Sequence, residues 1–175
     1  MEREIAEKAK EIRMLVMDVD GVMTDGMISF GTGHQEIKSF FVQDGLGLRL
    51  AKRAGLLVAL ISSRESEMVV RRARELEIDE VHQKVRDKLE VWNALQAKYA
   101  LSTHQMAMMG DDWGDLPLLL RAGLSIAVAD AAEEVKKRVH YVTRRPGGRG
   151  AVREAVEFIL KAQGKYDREL QAYLR

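Results

Sequence analysis

The sequence predicts a Rossmann-like α/β fold, a three-layer sandwich in which helices cover both faces of a mostly parallel sheet. Two observations predict this fold. Short apolar runs alternate with amphipathic stretches from end to end of the chain, which is typical of consecutive βαβ units. Runs such as Leu56 to Ile61 are also apolar throughout, as strands are when both faces of a sheet are covered.

Each predicted element follows from a change of pattern along the chain. Short apolar runs indicate buried strands, and longer stretches with apolar residues at helical spacing indicate helices. The predicted strands cover residues 14–19, 56–61, 80–82, 105–109, 124–129 and 140–143. The predicted helices cover residues 46–54, 65–76, 87–99, 116–122, 131–138 and 151–162.

One segment, directly after the first predicted strand, departs from this alternation. Residues 27–30 and 37–42 have the composition of two strands, and the turn residues Gly31-Thr-Gly33 lie between them. This pattern predicts a β-hairpin, which we call the flap (residues 27–42).

The length of the chain, 175 residues, is that of one compact domain. No internal repeat, low-complexity tract or linker divides it. We therefore predict a single domain over residues 1–175, with a core from about 12 to 164 and a C-terminal tail at 165–175.

Composition excludes several classes of function. The chain has no cysteine, so thiolate catalysis and cysteine-ligated zinc are excluded. Lys and Arg number 28 against 27 for Asp and Glu, and this balance gives no basic field for nucleic acid. The N-terminus is charged and lacks the apolar core of a signal peptide, and the apolar runs are too short to span a membrane. We predict a cytoplasmic protein with neither nucleic-acid nor membrane partners.

Two carboxylates stand at the end of the first predicted strand, Asp18 within its last two residues and Asp20 directly after it. Strand side chains alternate in direction, so both would point to one side if the strand continued through them. Carboxylates at a buried strand end repel one another unless a cation compensates, and Mg²⁺ is the cation that best suits oxygen ligands beside a phosphate. Taken alone, an Asp-x-Asp-Gly turn is more often a solvated acidic turn, so both interpretations stay open at this point.

Polar residues at the other strand ends favour the metal interpretation. Ser62 and Arg64 precede a helix and could cradle an anion, although Ser62 could equally cap that helix. Lys88 lies in the first turn of a helix, where a phosphate partner would explain a charge that the helix dipole disfavours. Asp111 follows a buried strand directly and has the position of a metal ligand, whereas Asp115 also fits simple dipole capping. Because ligands bind at the carboxyl ends of parallel strands, this set predicts phosphoryl transfer.

The same residues, in this order, resemble the four motifs of the haloacid dehalogenase superfamily. The matching segments are Asp18-Val-Asp-Gly-Val-Met-Thr-Asp25, Ser62, Lys88 and Gly110-Asp-Asp-x-x-Asp115. Three further segments resemble the family of 3-deoxy-D-manno-octulosonate (KDO) 8-phosphate phosphatases. They are Ile37-Lys-Ser-Phe-x-Val-x-Asp-Gly-Leu-Gly47, Ala127-Val-Ala-Asp-Ala131 and Gly147-Gly-x-Gly-Ala-Val-Arg-Glu154. The similarity runs from about residue 12 to residue 164.

The resemblance implies a role for each matched residue. Asp18 is the expected nucleophile, which forms an aspartyl-phosphate, and Asp20 is the expected general acid and base. Mg²⁺ is the implied cofactor. Its implied ligands are Asp18, the backbone carbonyl of Asp20 and Asp111, with Asp112 or Asp115 acting through waters.

The resemblance also implies how the substrate is held. Ser62 and Lys88 are expected to bind the phosphoryl group, and Lys88 also counts among the catalytic residues. Asp20, Asp44 and Arg64 are expected to bind the rest of the substrate.

At the level of the whole molecule, the resemblance implies a homotetramer without a cap domain. The flap and the C-terminal region of neighbouring subunits would then complete the site.

The expected reaction is hydrolysis of KDO 8-phosphate, a phosphorylated sugar acid of bacterial lipopolysaccharide biosynthesis. Gln43 stands where the family commonly has an arginine, and Ser63 where it commonly has a glycine. The first of these keeps an alternative open, a 9-phosphate phosphatase acting on a nonulosonate.

Two non-enzymatic alternatives fit less well. A signalling receiver domain has its phosphorylated aspartate on the third strand, whereas Asp18 and Asp20 follow the first. A non-catalytic scaffold would have no need of the complete set of acidic residues and Lys88.

Overall fold

The computed structural model describes residues 2–33 and 36–174. A six-stranded sheet lies at the centre, and every pair of neighbouring strands in it is parallel. Its strands, in the order in which they occur in the sheet, are β5 (Glu80–His82), β4 (Leu57–Ile61), β1 (Met14–Met17), β6 (Met106–Gly110), β7 (Leu124–Ala127) and β8 (Tyr141–Val142). The predicted α/β class and parallel sheet are confirmed.

The strands form where the sequence has its continuous apolar runs. All four residues of β1 and all five of β6 are buried, because helices cover the sheet on both faces. From β1 the chain moves through β4 to β5 at one edge of the sheet, and from β6 it moves through β7 to β8 at the other edge. Because such connections are right-handed, the two directions place their helices on opposite faces of the sheet. The helices are α1 (Glu2–Lys10), α2 (Val42–Arg53), α3 (Glu67–Glu75), α4 (Lys88–Tyr99), α5 (Leu116–Leu119), α6 (Glu133–Lys136), α7 (Ala151–Ala162) and α8 (Tyr166–Gln171).

The flap is a hairpin, as predicted, but its strands are short. Strand β2 (Ser29–Phe30) pairs antiparallel with β3 (Glu36–Ile37), and residues 34–35 between them lie outside the described part of the chain. The flap was predicted to continue as a strand to residue 42, and this is wrong, because α2 begins at Val42. It was also wrong to begin the helix at residue 46. Gly45 weakens helix propensity there, but α2 packs closely along α7 and this tertiary contact decides the outcome.

Two terminal helices were not predicted. In α1, Ala9 is fully buried and Ile5 packs against the core. In the segment predicted as a C-terminal tail, α8 buries Glu169, and the preceding Lys165 donates a hydrogen bond to the carbonyl oxygen of Ala54 at 3.0 Å. The single-domain boundaries themselves stay a prediction.

Within residues 2–33 and 36–174, the inserted structure between β1 and α2 is the flap, and there is no cap domain. Among the same residues, no helix has the length and apolarity that crossing a membrane requires.

Candidate active site

The three central strands bring the predicted motifs to one edge of the sheet. Strand β1 lies between β4 and β6, with Met17 in register with Leu60 and with Met109. The backbone N–H of Asp18 donates to the carbonyl oxygen of Met109 at 3.0 Å, so Asp18 continues the pairing with β6. Ser62, which follows β4, and Asp111, which follows β6, end their strands at the same carboxyl edge. In open parallel sheets, this edge is where ligands bind.

Three carboxylates meet at this edge. One oxygen each from Asp18, Asp111 and Asp115 lies within 4.8 Å of the others. Asp18 and Asp115 are buried, and Oδ2 of Asp115 accepts a hydrogen bond from the backbone N–H of Asp111 at 3.1 Å. Asp115 therefore faces the cluster, whereas the carboxylate of Asp112 accepts a hydrogen bond from the backbone of Trp113 at 2.8 Å. Of the two residues that the resemblance left open, Asp115 has the geometry of a participant.

Lys88 joins the cluster from α4. Its Nζ donates to Oδ1 of Asp18 at 2.5 Å and to Oδ1 of Asp115 at 2.7 Å, and its side chain is 10% exposed. Asp87 caps α4 by accepting a hydrogen bond from the backbone of Leu89 at 2.8 Å. This cap fixes the first turn of the helix, from which Lys88 reaches back to the sheet. The two carboxylates supply the negative charge that offsets its unfavourable position in the helix dipole.

Burial and mutual repulsion shift the acid–base properties of the cluster. Burial, and secondarily the nearby Asp115, raise the pKa of Asp18 to about 6, against the opposing effect of Lys88. Burial followed by Asp115 and Asp18 raises the pKa of Asp111 to about 7. Burial lowers the pKa of Lys88, but Asp115 and Asp18 outweigh it and the net shift is upward. The carboxylates are thus in excess over the cation that neutralises them.

A divalent cation fits this donor set. Carboxylate oxygens are the ligands that Mg²⁺ prefers, and retained waters and a phosphate can complete its octahedron. Burial and mutual repulsion raise the pKa values of Asp18 and Asp111, and the charge of a divalent ion would relieve the repulsion. The chemistry of the site therefore matches the magnesium ion that the sequence predicts.

The loop after β1 is shaped to admit these side chains. Gly21 has a φ of +96°, and a Cβ at this position would lie 2.1 Å from Oδ2 of Asp111. A Cβ on Gly147 would lie 1.8 Å from the carbonyl oxygen of Gly21, and the N–H of Gly148 donates to the carbonyl oxygen of Val22 at 2.9 Å. The Gly147-Gly148 segment thus supports the loop that carries Asp20, which gives a structural reason for the glycine pair.

Asp20 faces the flap rather than the three-carboxylate cluster. Its Oδ1 accepts a hydrogen bond from Nζ of Lys38, and its Oδ2 lies 3.8 Å from Nε of Arg64. Glu36 lies 3.2 Å from Arg64 and 3.6 Å from Lys38. Lys38 was not among the predicted site residues. The only sequence signal was its place in the flap segment that resembles the phosphatase family, because its contact with Asp20 depends on how the flap folds back.

Ser62 is buried at the end of β4. Its Oγ accepts a hydrogen bond from the backbone N–H of Arg64 at 3.1 Å, and its own N–H donates to the carbonyl oxygen of His82 at 2.9 Å. The hydroxyl therefore also organises the turn toward Arg64, as a local cap does. Arg64 itself is half-exposed at the mouth of the site.

The structure gives Asp44 partners other than those the resemblance implied. Its Oδ2 accepts a hydrogen bond from the N–H of Gly150 at 3.0 Å, and its Oδ1 accepts one from the N–H of Arg153 at 2.8 Å. Asp44 is a residue of α2 and is 2% exposed, and its carboxylate lies against the N-terminus of α7. Both oxygens are thus engaged with backbone of the same chain, and a substrate contact through Asp44 stays a prediction without structural support.

Comparison with known proteins gives a consistent result. The profile of the haloacid dehalogenase-like hydrolases matches residues 75–155. A KDO 8-phosphate phosphatase of Escherichia coli (strain K12) is 43% identical over 164 residues, which are 94% of this chain and 87% of that protein.

Two solved structures extend the similarity to three dimensions. The KDO 8-phosphate phosphatase of Moraxella catarrhalis, in complex with a magnesium ion, a phosphate ion and a KDO molecule, is 42% identical and superposes with a TM-score of 0.95 over 98% of each chain. The cobalt-bound enzyme of Haemophilus influenzae is 38% identical, with a TM-score of 0.91 over 96% of this chain and 99% of that one.

Proposed function

Because the chain belongs to the KDO 8-phosphate phosphatase family of haloacid dehalogenase-like hydrolases, we propose that it hydrolyses KDO 8-phosphate to the free sugar acid and phosphate, with Mg²⁺ as cofactor. The observation that carries the proposal is the cluster of Asp18, Asp111 and Asp115 beside Lys88 at the carboxyl edge of the sheet. Phosphoryl transfer needs this combination of anionic ligands, a cation for the phosphate oxygens and a nucleophile.

In the first step, a carboxylate oxygen of Asp18 attacks phosphorus and the bond from phosphorus to the sugar oxygen breaks. Asp20 gives a proton to the departing alkoxide, which leaves as the alcohol. In the second step, Asp20 takes a proton from a water molecule that attacks the aspartyl-phosphate, and phosphate leaves while Asp18 is restored.

The remaining roles concern charge and orientation. Asp18, Asp111 and the backbone carbonyl of Asp20 would hold Mg²⁺, supported by Asp115. When bound, the ion supplies charge neutralisation for the phosphate oxygens. Lys88 would neutralise a further phosphate oxygen, and the hydroxyl of Ser62 would donate a hydrogen bond to another.

Arg64 is proposed to meet the sugar acid. Its half-exposed guanidinium lies beside Asp20, close to where the leaving oxygen would emerge, and a guanidinium suits a carboxylate. The role assigned to Asp44 by the resemblance has no such support.

The family relatives favour this substrate over the 9-phosphate of a nonulosonate, because the relatives compared above are KDO 8-phosphate phosphatases. A place in lipopolysaccharide precursor synthesis, a cytoplasmic location and a homotetramer with shared sites complete the proposal.

Phosphate release from a panel of sugar-acid phosphates tests the substrate. With Mg²⁺ present, we expect the highest kcat/KM for KDO 8-phosphate, and we expect EDTA to abolish turnover and added Mg²⁺ to restore it. A higher kcat/KM for a nonulosonate 9-phosphate would identify that compound as the preferred substrate and leave the proposed chemistry unchanged. Turnover that EDTA does not change would remove the metal from the mechanism.

A further inference from the structure

Lys38 is a buried ammonium group that the reaction described above does not use. It follows β3 in the flap, and its side chain is 1% exposed. Lysine is almost never buried to this extent without a partner. The partner here is Asp20, to which Nζ of Lys38 donates a hydrogen bond.

The surroundings of Asp20 make this contact consequential. Asp20 lies three residues beyond the end of β1, in a turn where no strand pairing fixes its side chain. Its second cationic neighbour, Arg64, is 3.8 Å away and 43% exposed, so its side chain has freedom to move. Lys38 is the closer of the two cations and the more buried, and it approaches from the flap. Glu36, 3.6 Å from Lys38, balances its charge on the other side.

We propose that Lys38 is a positioning residue, which holds the carboxylate of Asp20 in the orientation required for proton transfer at the leaving oxygen. The proposal rests on the proposed function, in which Asp20 is the general acid and base. A general acid must lie within about 2.6–3.2 Å of the atom it protonates, and small displacements of a catalytic group cost large factors in rate. Through Lys38, the position of the flap sets the position of Asp20.

The dependence of kcat/KM on the leaving group tests this role, because the loss of a merely structural contact would lower kcat/KM equally for every leaving group. A good leaving group such as 2,4-dinitrophenolate departs without a proton, whereas phenolate or an alkoxide needs one. For Lys38→Met we expect kcat/KM to fall about 100-fold with phenyl phosphate and with the sugar-acid phosphate, and about threefold or less with 2,4-dinitrophenyl phosphate.

A double-mutant cycle supplies the second readout. If Lys38 acts through Asp20, Lys38→Met should cost little more once Asp20→Asn is already present, because contacting residues that act as a unit are not additive. The cycle is measured on an ester whose leaving group needs a proton, phenyl phosphate or the sugar-acid phosphate. Lys137→Met removes an exposed lysine, the C-cap residue of α6, which pairs with Glu134. This control should leave kcat/KM unchanged.

The possible outcomes separate this role from the function on which it rests. Suppose that the wild type is active but Lys38→Met lowers kcat/KM by the same factor with every leaving group, or that this loss adds in full to that of Asp20→Asn. Either result overturns the positioning role alone. A wild type that releases phosphate from no ester overturns the proposed function and this role with it. Lys38→Gln, which keeps a polar side chain, is measured in the same way if Lys38→Met does not fold.

Discussion

At the carboxyl edge of the sheet, Asp18, Asp111 and Asp115 bring three carboxylates together, and Lys88 contributes one positive charge to them. When all are ionised, two negative charges remain without compensation. Burial, together with this excess of negative charge, raises the pKa values of Asp18 and Asp111 above those of ordinary aspartates. A divalent ion supplies the missing charge, so the same imbalance contributes to the raised pKa values and explains why the site needs a metal ion.

The first prediction concerns the nucleophile. Asp18→Asn should lower kcat about 10⁴-fold or more, because an amide cannot form the aspartyl-phosphate. The variant should still fold, since asparagine has the same shape and can keep a contact with Lys88. Steady-state phosphate release and thermal melting check the two expectations. Turnover within about tenfold of wild type in a folded variant would place the nucleophile elsewhere.

The second prediction uses the raised pKa of Asp111, which is about 7 in the fold against an ordinary value of 3.8. A carboxyl group with a higher pKa in the folded chain stabilises the fold below the unfolded value, and this contribution is lost as pH rises through the folded value. In the metal-free protein, the stability of Asp111→Asn relative to wild type should therefore increase between about pH 4 and pH 7, on the order of a few kcal/mol.

Urea denaturation in EDTA across that pH range measures the difference. Saturating Mg²⁺ at pH 7 should reverse it, because the ion stabilises the wild type to which it binds. A difference that stays flat from pH 4 to pH 7 would contradict the origin given for the shift.

At the scale of elements, the sequence is informative wherever a contact is local in the chain. The central strands β1 and β4 could be predicted because they are continuous apolar runs. Asp18, Ser62 and Asp111 could be placed at one edge because each follows a buried strand. Helix α1 could not be predicted in this way, because its few apolar residues, among them Ile5 and Ala9, lie in a mostly charged segment. Its burial depends on contact with α7, far along the chain.

Asp44 and Lys38 show the same limit within the candidate site. The backbone groups that Asp44 caps lie 106 and 109 residues further along the chain, so no local pattern reveals them. The partner of Lys38, Asp20, is 18 residues away and reached only because the flap folds back over the sheet edge. The resemblance marked both segments as important, but physical roles for them required the fold.

The third prediction concerns this long-range cap. Asp44→Ala should lower the free energy of unfolding by about 1–2 kcal/mol, because α7 then loses the acceptor for two N–H groups and a favourable charge at its N-terminus. Urea denaturation measures the loss. Asp167→Ala, which removes an exposed aspartate in the first turn of α8, is the matched control and should change stability by less than about 0.5 kcal/mol.

Substrate kinetics of the same variant separate the cap from a binding role. If Asp44 serves as the cap, the folded fraction of Asp44→Ala should keep a KM close to that of wild type. An unchanged unfolding free energy with a KM raised about tenfold or more would favour the substrate contact that the resemblance implied.

At the scale of the whole molecule, the flap lies beside the candidate site and contacts it through Lys38 and Asp20. Without a cap domain in the described chain, the flap is the inserted element nearest the mouth, and it carries apolar side chains outward. Phe30 is 72% exposed, and Met27, Ile28 and Ile37 are exposed as well. Phe40 instead packs against the core of its own chain. Among the apolar residues of the flap, Ile28 and Phe30 are thus exposed, whereas Phe40 and Phe41 are partly buried.

The last prediction is that neighbouring subunits cover this surface and close the site. Phosphoryl transfer gains from water exclusion and fixed charge around the phosphate, and a contiguous apolar surface of this kind is typical of an interface. We expect sedimentation to give a homotetramer and dilution to lower activity in step with dissociation. Phe30→Glu should shift the assembly toward monomer and reduce kcat/KM. Leu120→Glu, at a comparably exposed apolar position after α5, should leave assembly and activity unchanged. A fully active monomer would show instead that the flap and strand ends of one chain are sufficient for catalysis.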